Sequence, residues 1–464
     1  MATAKKRRIV GIGLLGSGVV GEAIQDILFH DFKGQVDADV ELDIRKIYTR
    51  NPRRKKWFKK RPGLFTAKAE EVIDDPTVEI VIEALGFQRS SQLPQFRDYF
   101  LRAFARGKPV VTSDKAVLAR HGKEIWAAAK RSGQQLRFEA CVGGGIPVIR
   151  ALSESFAAEE PEAIFGIVNG TCNYILSQME KSGKPYAEAL KEAQEKGYAE
   201  TNPASDVSGS DAEAKLLLLS LVAFGLQIQP DTTWRKGIED IHAVDFRYAG
   251  RTGLSTIKQL AVAKRKGQAV EVFVSPVLVP RENFLAGIDG PTNAVCFAGK
   301  RSGGGRGERD CDYVLVGPGA GGGPTAVAVL GDVCELARGT RRYSGVPSLI
   351  PPGTLRVLPQ GEIEGSFYVR FLVKDRAGIV GDIGQTFGRI GVNISEIWQL
   401  RHTGDELRAL TQSYRLKQKP HEILPFVMTL ERATLRQMRK ALDSVRNRDY
   451  ILVEPVWFPI WKSS

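Results

Sequence analysis

Gly16-Ser17-Gly18-Val19-Val20-Gly21 is a G-x-G-x-x-G placed after an apolar run and ahead of a helix-like stretch. The first glycine permits a tight turn, the second lets a pyrophosphate approach the backbone, and the third lets helix and strand pack closely. Phosphates then sit on the helix N-terminus, where free amides and the helix dipole favour anions. A dinucleotide is therefore expected at Gly16, Ser17, Gly18, Val19, Val20 and Gly21. At the end of the next strand, an acid on the ribose hydroxyl would signal NAD. The chain instead has Tyr48-Thr49-Arg50-Asn51, followed by Arg53 and Arg54. Cations without an acid favour a 2′-phosphate, so NADP is expected, with Arg50 as its partner and NAD as the alternative. Gly86, just past a further strand, is assigned to the same cofactor site.

A nicotinamide moves a hydride and leaves a proton for the protein to supply. His30, His121, His242, His402 and His421 are too scattered to form a zinc set, and Tyr-x-x-x-Lys is absent. Lysine with nearby carboxylates is the remaining solution. Asp211 and Lys215 are four apart on an expected helix and so share one face. A carboxylate and an ammonium there could hold a charged group and deliver a proton; a plain surface salt bridge is the competing reading.

These groups need a scaffold. Strands are expected at 8–14, Val40–Tyr48, Val78–Ala84, Pro109–Thr112 and Leu136–Glu139, alternating with helices at Val19–Phe29, Leu93–Arg106 and Gly122–Arg131. Such alternation predicts an α/β, Rossmann-type, doubly wound parallel sheet. From about 150 the texture changes to helices at Tyr186–Glu195 and Asp211–Phe224 mixed with strand near Val270–Val279. Residues 299–309 read as a flexible Gly/Arg loop, and Ser344–Gly365 as a proline-rich linker. A last βαββαβ pattern has strands at Ser366–Val373, Ile394–Leu400, Phe426–Glu431 and Ile451–Trp457, with helices at Gly381–Ile390 and Thr434–Arg446. That order describes a small ferredoxin-like sandwich.

At 464 residues, 43% of them hydrophobic, the chain should form two or three soluble domains. Its net charge of +13 includes ten basic residues between Arg45 and Arg61. A solvated face or a cofactor phosphate explains the run better than nucleic acid, because no known binding module surrounds it. The five cysteines are odd in number and lack C-x-x-C spacing, which argues for a reducing compartment. The basic start followed by Ile9–Ile24 superficially resembles a signal peptide, but that stretch holds five glycines and Glu22. No apolar run approaches the ~20 residues of a membrane helix. A cytoplasmic location is expected, with no nucleic-acid or membrane partner.

Four further segments carry a resemblance. Glu139-Ala140-Cys141-Val142-Gly143-Gly144-Gly145-Ile146-Pro147 resembles the glycine-rich junction between the cofactor and substrate domains of homoserine dehydrogenases. Gly166-Ile167-Val168-Asn169-Gly170-Thr171-Cys172-Asn173-Tyr174-Ile175-Leu176 is similar to that family's Asn-Gly-Thr-Thr-Asn-Tyr-Ile-Leu, with Cys172 for a threonine. The stretch Gly197–Lys215 contains Glu200, Pro203, Asp206, Gly209, Asp211 and Lys215 in the family's order and spacing. Gly317-Pro318-Gly319-Ala320-Gly321-Gly322 resembles the late glycine loop that returns to the cofactor through Gly319 and Gly321.

The resemblance implies reduction of L-aspartate 4-semialdehyde to L-homoserine, with Lys215 donating the proton and Asp211 and Glu200 holding the substrate. Asp206 is a nearby acid in this family, although a helix N-cap accounts for it equally. Lys115 aligns with the lysine of the family's Ala-Asn-Lys and would steady the nicotinamide ribose and substrate; Asp114 replaces the asparagine. The turn of Glu139, Val142, Gly144 and Ile146 resembles a Na+ or K+ site built from backbone carbonyls, a glycine hinge being the other reading. Implied domains are residues 1–148 for the cofactor, with 310–343 returning to them, and 149–309 for substrate and dimerisation. After the 344–365 linker, residues 366–464 resemble an ACT domain. In it Lys374-Asp375-Arg376-Ala377-Gly378-Ile379-Val380 stands for the usual Asp-x-Pro-Gly-Val-Leu, and Gln399 is placed to meet an effector. Threonine is the implied effector, dimerisation alone being the other role. A homodimer or homotetramer is expected, and the absence of room for an aspartate kinase predicts the monofunctional form. The alternatives are an oxidoreductase for another semialdehyde and a non-catalytic NADP- and amino-acid-binding regulator.

Overall fold

A computed structural model describes residues 7–462 apart from 32–33, 35, 38, 87–89, 252–254, 302–310 and 340–347. Most of the Gly/Arg tract at 299–309 and the start of the 344–365 stretch thus lie outside the described residues. The N-terminal part is a parallel sheet of β1 (Arg8–Leu15), β2 (Val40–Tyr48), β3 (Phe65–Thr66), β4 (Ile80–Glu83), β5 (Val110–Thr112) and β6 (Leu136–Arg137). Its spatial order is β3-β2-β1-β4-β5-β6. The crossovers carry α1 (Val19–Asp26), α2 (Ala69–Ile73), α3 (Leu93–Ala105) and α4 (Lys115–Ser132). β4 and β5 are buried along their whole length, as short apolar strands covered on both faces must be. The order reverses beside β1 and β4, which places the ligand crevice at the C-terminal ends of those strands.

α4 starts at Lys115 and not at Gly122. Asp114 sets that start: its Oδ1 accepts from the amides of Ala116 (2.9 Å) and Val117 (3.3 Å). β6 stops at Arg137, short of the expected Glu139, because the chain turns into a single 3-10 turn at Glu139–Cys141.

The middle of the chain contributes α5 (Val148–Arg150), β7 (Pro161–Ile167), α6 (Gly170–Ser182), α7 (Tyr186–Glu195), α8 (Ala204–Val207) and α9 (Ser210–Phe224). β8 (Trp234–Arg235), α10 (Ala243–Ala249), β9 (Ser255–Lys266), β10 (Ala269–Pro280), β11 (Thr292–Gly299) and β12 (Tyr313–Pro318) follow. From Leu216 to Phe224 every residue of α9 is buried, so this helix runs through the core. Its charged residues are confined to the first two turns, which present Asp211 and Lys215. α11 (Gly322–Ala337) then returns to pack along α1.

The last elements are β13 (Arg356–Val357), β14 (Glu364–Lys374), α12 (Ile379–Arg389), β15 (Ile394–Trp398), α13 (Gly404–Ser413), β16 (Ile423–Thr434), α14 (Leu435–Val445) and β17 (Val456–Ile460). They include the expected βαββαβ order. Its final strand lies later than Ile451–Trp457; Ile451 makes only an isolated bridge to Val373, and Pro455 precedes the strand. The C-terminal unit is continuous with the middle one. The second sheet runs β12-β11-β7-β9-β10-β17-β14-β16-β15, joined where β17 meets β10 at Leu278–Ile460. Residues 348–365, expected as a linker, pack instead: β13 pairs with β10, and Leu355 and Ile363 are buried. Arg370 of β14 reaches Asp245 of α10 at 2.7 Å, both side chains fully buried. The long 402–425 excursion contains α13, started by a reciprocal Thr403–Glu406 capping box.

Candidate active site

The glycine turn at β1–α1 has the geometry a dinucleotide needs. Gly16 has φ +113°, and a Cβ on it would lie 2.3 Å from the Ala84 carbonyl oxygen. A Cβ on Gly21 would meet the Gly16 carbonyl oxygen at 2.3 Å, whereas Gly18 faces open space. The first and third glycines are thus demanded by packing, and the second leaves room for a phosphate. Gly18 caps α1 without any side-chain bond, so its first amides remain free for an anion. Ser17 is buried and accepts from Gln25 Nε2 at 3.0 Å; Val19 is exposed at the helix start and Val20 partly buried. Gly86 lies exposed beyond β4.

The later glycines converge on the same place. A Cβ on Gly322 would sit 3.0 Å from Val19 Cγ1, so α1 and α11 start side by side. Gly145 donates to the Pro318 carbonyl at 3.1 Å, and a Cβ on Gly144 would meet the Gly319 carbonyl oxygen at 2.7 Å. Gly321, at φ +119°, completes the loop. Lys55 and Lys56 of the basic run are folded against α1, pairing with Glu22 (3.2 Å) and Asp26 (2.8 Å). Arg50, Arg53 and Arg54 are exposed and have no acidic partner among the described residues.

The charged cluster lies across the crevice. Asp211 bridges two ammoniums: its Oδ1 is 3.0 Å from Lys115 Nζ and its Oδ2 2.7 Å from Lys215 Nζ. Lys215, 8% exposed, also donates to the Val168 carbonyl at 2.6 Å. Asn169 Nδ2 donates to Asp211 Oδ2 (2.9 Å) and to Asp206 Oδ1 (2.8 Å). Burial opposes ionisation of Asp211, but Lys115 and Lys215 outweigh it and hold the carboxylate well below its usual range. The same contact with Asp211 raises Lys115 above an ordinary lysine. Burial, and then the Asp211 charge, raise Asp206.

The structure therefore gathers Lys115, Asp206, Asp211 and Lys215, contributed by α4, α8 and α9. The Asp211–Lys215 pair is no surface salt bridge. Asp206 is no N-cap either; it sits inside α8, and Gly209 caps α9. Glu200 stands apart. It is exposed, and among the described residues its carboxylate has no polar partner. Sequence reasoning assigned no role to Asn169 or to the Val168 carbonyl. A usable signal was present, since Asn169 is an N-cap residue, its Oδ1 accepting from the Cys172 amide at 2.8 Å.

Two more carboxylates border the crevice. Glu83, at the end of β4, accepts from the Leu85 amide (2.9 Å) and Thr112 Oγ1 (2.5 Å). Complete burial, then the charge of Asp114, push its carboxyl up to about 8. Glu139 accepts from the amides of Ile149 (2.9 Å) and Arg150 (2.8 Å), and burial beside Asp332 pushes it up to about 7. Its carboxylate points at main-chain amides, so a cation here would have to use carbonyl oxygens. Gly143 and Gly144 are consecutive left-handed residues that curl this turn. The carbonyls of Glu139 and Ile146 each accept one main-chain bond, from Val142 (3.3 Å) and Val148 (2.8 Å), leaving a second lone pair on each. No disulfide joins any of the five cysteines, all of which are described residues, and no described helix is long and apolar enough to cross a membrane.

Residues 16–139 match the family model for the NAD binding domain of homoserine dehydrogenase, and residues 147–334 the model for homoserine dehydrogenase. The chain is 35% identical over 404 residues to the homoserine dehydrogenase of Synechocystis, covering 85% of this chain and 90% of that one. Against the Bacillus subtilis enzyme it is 34% identical over 401 residues, covering 86% and 88%. The crystal structure of a homoserine dehydrogenase from Thiobacillus denitrificans superposes with TM-score 0.82 at 29% identity, covering 98% of this chain and 99% of that one. A hyperthermophilic archaeal homoserine dehydrogenase in complex with NADPH shares the fold, with TM-score 0.59 at 23% identity over 73% of this chain and 100% of that one. A glycine cradle for a nicotinamide dinucleotide facing a lysine–carboxylate cluster is thus carried by a chain that belongs to the homoserine dehydrogenase family of NAD(P)-dependent oxidoreductases.

Proposed function

We propose that the chain reduces L-aspartate 4-semialdehyde to L-homoserine, with Lys215 as the proton donor. One observation carries this. An ammonium has three N–H donors, and Lys215 commits two of them, to Val168 O and Asp211 Oδ2. The remaining N–H is held in a fixed direction beside the crevice, where it can protonate an aldehyde oxygen. The glycine cradle of Gly16–Gly21 would hold a reduced nicotinamide dinucleotide, which would supply a hydride for the aldehyde carbon. As that carbon becomes tetrahedral, the oxygen takes the Lys215 proton and remains on it as the hydroxyl of the product. Asp211 orients Lys215 and, with Asp206, receives the substrate's α-ammonium; Glu200 closes on it from the rim. Lys115 offsets negative charge on the reacting oxygen and steadies the ribose.

NADP is the proposed cofactor, held by Gly16–Gly21, Gly86, Gly319 and Gly321, with NAD as a weaker substitute. Arg50, free of any acid among the described residues, is the 2′-phosphate ligand. Na+ or K+ is proposed at the carbonyls of Glu139, Val142, Gly144 and Ile146, since carbonyl oxygens suit hard cations; activity in salts of either ion against a bulky organic cation tests it. Residues 366–464 form the proposed ACT-like unit, with threonine as effector, in a cytoplasmic homodimer or homotetramer. The decisive assay is NADPH oxidation with aspartate semialdehyde, with homoserine identified as product, with and without threonine. Turnover with other semialdehydes in preference to this one would overturn the substrate assignment. Unchanged rates up to tens of millimolar threonine would leave the C-terminal unit a dimerising role alone.

A further inference from the structure

We propose that Asn293 is a positioning residue for the cofactor: its carboxamide waits unpaired beneath the Gly317–Gly321 loop and bonds that loop's main chain when the dinucleotide is bound. This rests on the reading of the loop as part of the cofactor site. Asn293 is the second residue of β11, the strand lying between β7 and β12. Across to β12 its register partner is Gly317. On its other side the adjoining pair, Ala294–Ile167, brings it next to Val168, whose carbonyl holds Lys215. One residue therefore stands between the support of the proton donor and the loop at the cofactor.

Its side chain packs directly on that loop. A Cβ on Gly319 would fall 2.0 Å from Asn293 Cγ and Nδ2, so glycine is the residue that admits the carboxamide there. Asn293 is fully buried, yet among the described residues neither its Oδ1 nor its Nδ2 has a hydrogen-bond partner. A buried carboxamide is ordinarily paired, because dehydration without a partner is costly. Packing alone would be served as well by an apolar side chain of similar size.

Asn169 is paired at both ends of its carboxamide, its Oδ1 accepting from the Cys172 amide and its Nδ2 donating to Asp206 and Asp211. Asn173 Nδ2 donates to the carbonyls of Ile288 (3.0 Å), Gly290 (2.9 Å) and Thr292 (3.2 Å), pinning the approach to β11. The backbone of Asn293 is thus fixed. The loop over it is Gly317-Pro318-Gly319-Ala320-Gly321, where peptides can rotate with little side-chain obstruction. Rotation at Gly319 gives the waiting carboxamide its partner and fixes the loop in the form that holds the dinucleotide.

The test uses the full chain, as wild type, Asn293→Leu and Asn293→Ser. NADPH binding, steady-state constants, and hydrogen exchange of residues 313–325 with and without NADPH are measured. In the wild type, NADPH should slow exchange across 317–322. Asn293→Leu should lose that slowing and raise Kd and KM for NADPH about tenfold, the worth of one hydrogen bond. Its kcat and its KM for aspartate semialdehyde should be unchanged, and its unfolding midpoint without NADPH should not fall. Asn293→Ser, which keeps a donor and an acceptor, should fall between. Normal NADPH binding and normal slowing in both variants would overturn this inference alone, as would a wild-type loop indifferent to NADPH. A wild-type chain that bound no nucleotide would overturn the cofactor reading with it.

Discussion

Asp211→Asn removes the one negative charge shared by two ammoniums while keeping the side chain's shape. The contacts at stake are 3.0 Å to Lys115 and 2.7 Å to Lys215. Coulomb's law with an effective dielectric of about 20 puts each at roughly 6 kcal/mol. Dehydration of all three charges offsets much of that, and breaking a buried pair typically costs about 3–5 kcal/mol. Lys115 keeps 30% of its side chain exposed, so water screens one arm, and the low end, about 3 kcal/mol, applies. Expressed in the transition state, that is a loss of about 10²-fold in kcat/KM. Because the carboxylate is held below its usual range, its charge persists above about pH 4 and is lost only as pH falls through the depressed value. The loss should therefore be constant across neutral and mildly alkaline pH. The assay is initial-rate NADPH oxidation with aspartate semialdehyde from about pH 6 to 9, with NADPH binding measured in parallel. A variant within about threefold of wild type, or a deficit that vanishes at one end of that range, would refute the reasoning.

Arg50→Ala should raise KM for NADPH about tenfold or more and leave that for NADH nearly unchanged; equal effects on both would remove the 2′-phosphate assignment. Glu83 is protonated in the fold up to about pH 8 and ionises in the unfolded chain near pH 4, so its contribution falls as pH rises through that window. Urea titrations of Glu83→Gln should show a flatter pH dependence than wild type, by up to a few kcal/mol. Arg370→Met leaves Asp245 charged and fully buried, and should cost about 3–5 kcal/mol in chemical unfolding; an unchanged midpoint would mean the middle and C-terminal units are not coupled there.

The parts of the fold that could be read ahead were those with a local code. The G-x-G-x-x-G turn and the strands around it are set by packing that only glycine satisfies, and α9 declares itself by the run Leu216–Phe224, apolar on every side apart from Ser220. α4 was harder, because its first turns mix charge with apolar residues and its start depends on the Asp114 cap. The last strand shifted because Pro455 cannot donate within a ladder, so pairing resumes only from Val456. The fusion of β17 to β10 is a long-range pairing with no local signature. At the site, motif spacing marked Lys115, Asp206, Asp211 and Lys215. It did not mark Val168, which acts through a carbonyl that every residue has, nor the exposure of Glu200. Glu83 and Asp114 are 31 residues apart in the chain and meet only because β4 and β5 are neighbours.

The claim that Lys215 delivers the proton is tested most directly by kcat of Lys215→Ala, measured with NADPH binding verified on the same preparation. The account predicts a fall of about 10²- to 10⁴-fold with the cofactor still bound, since the glycine cradle shares no atom with Lys215. Turnover within about threefold of wild type, with binding intact, would contradict it.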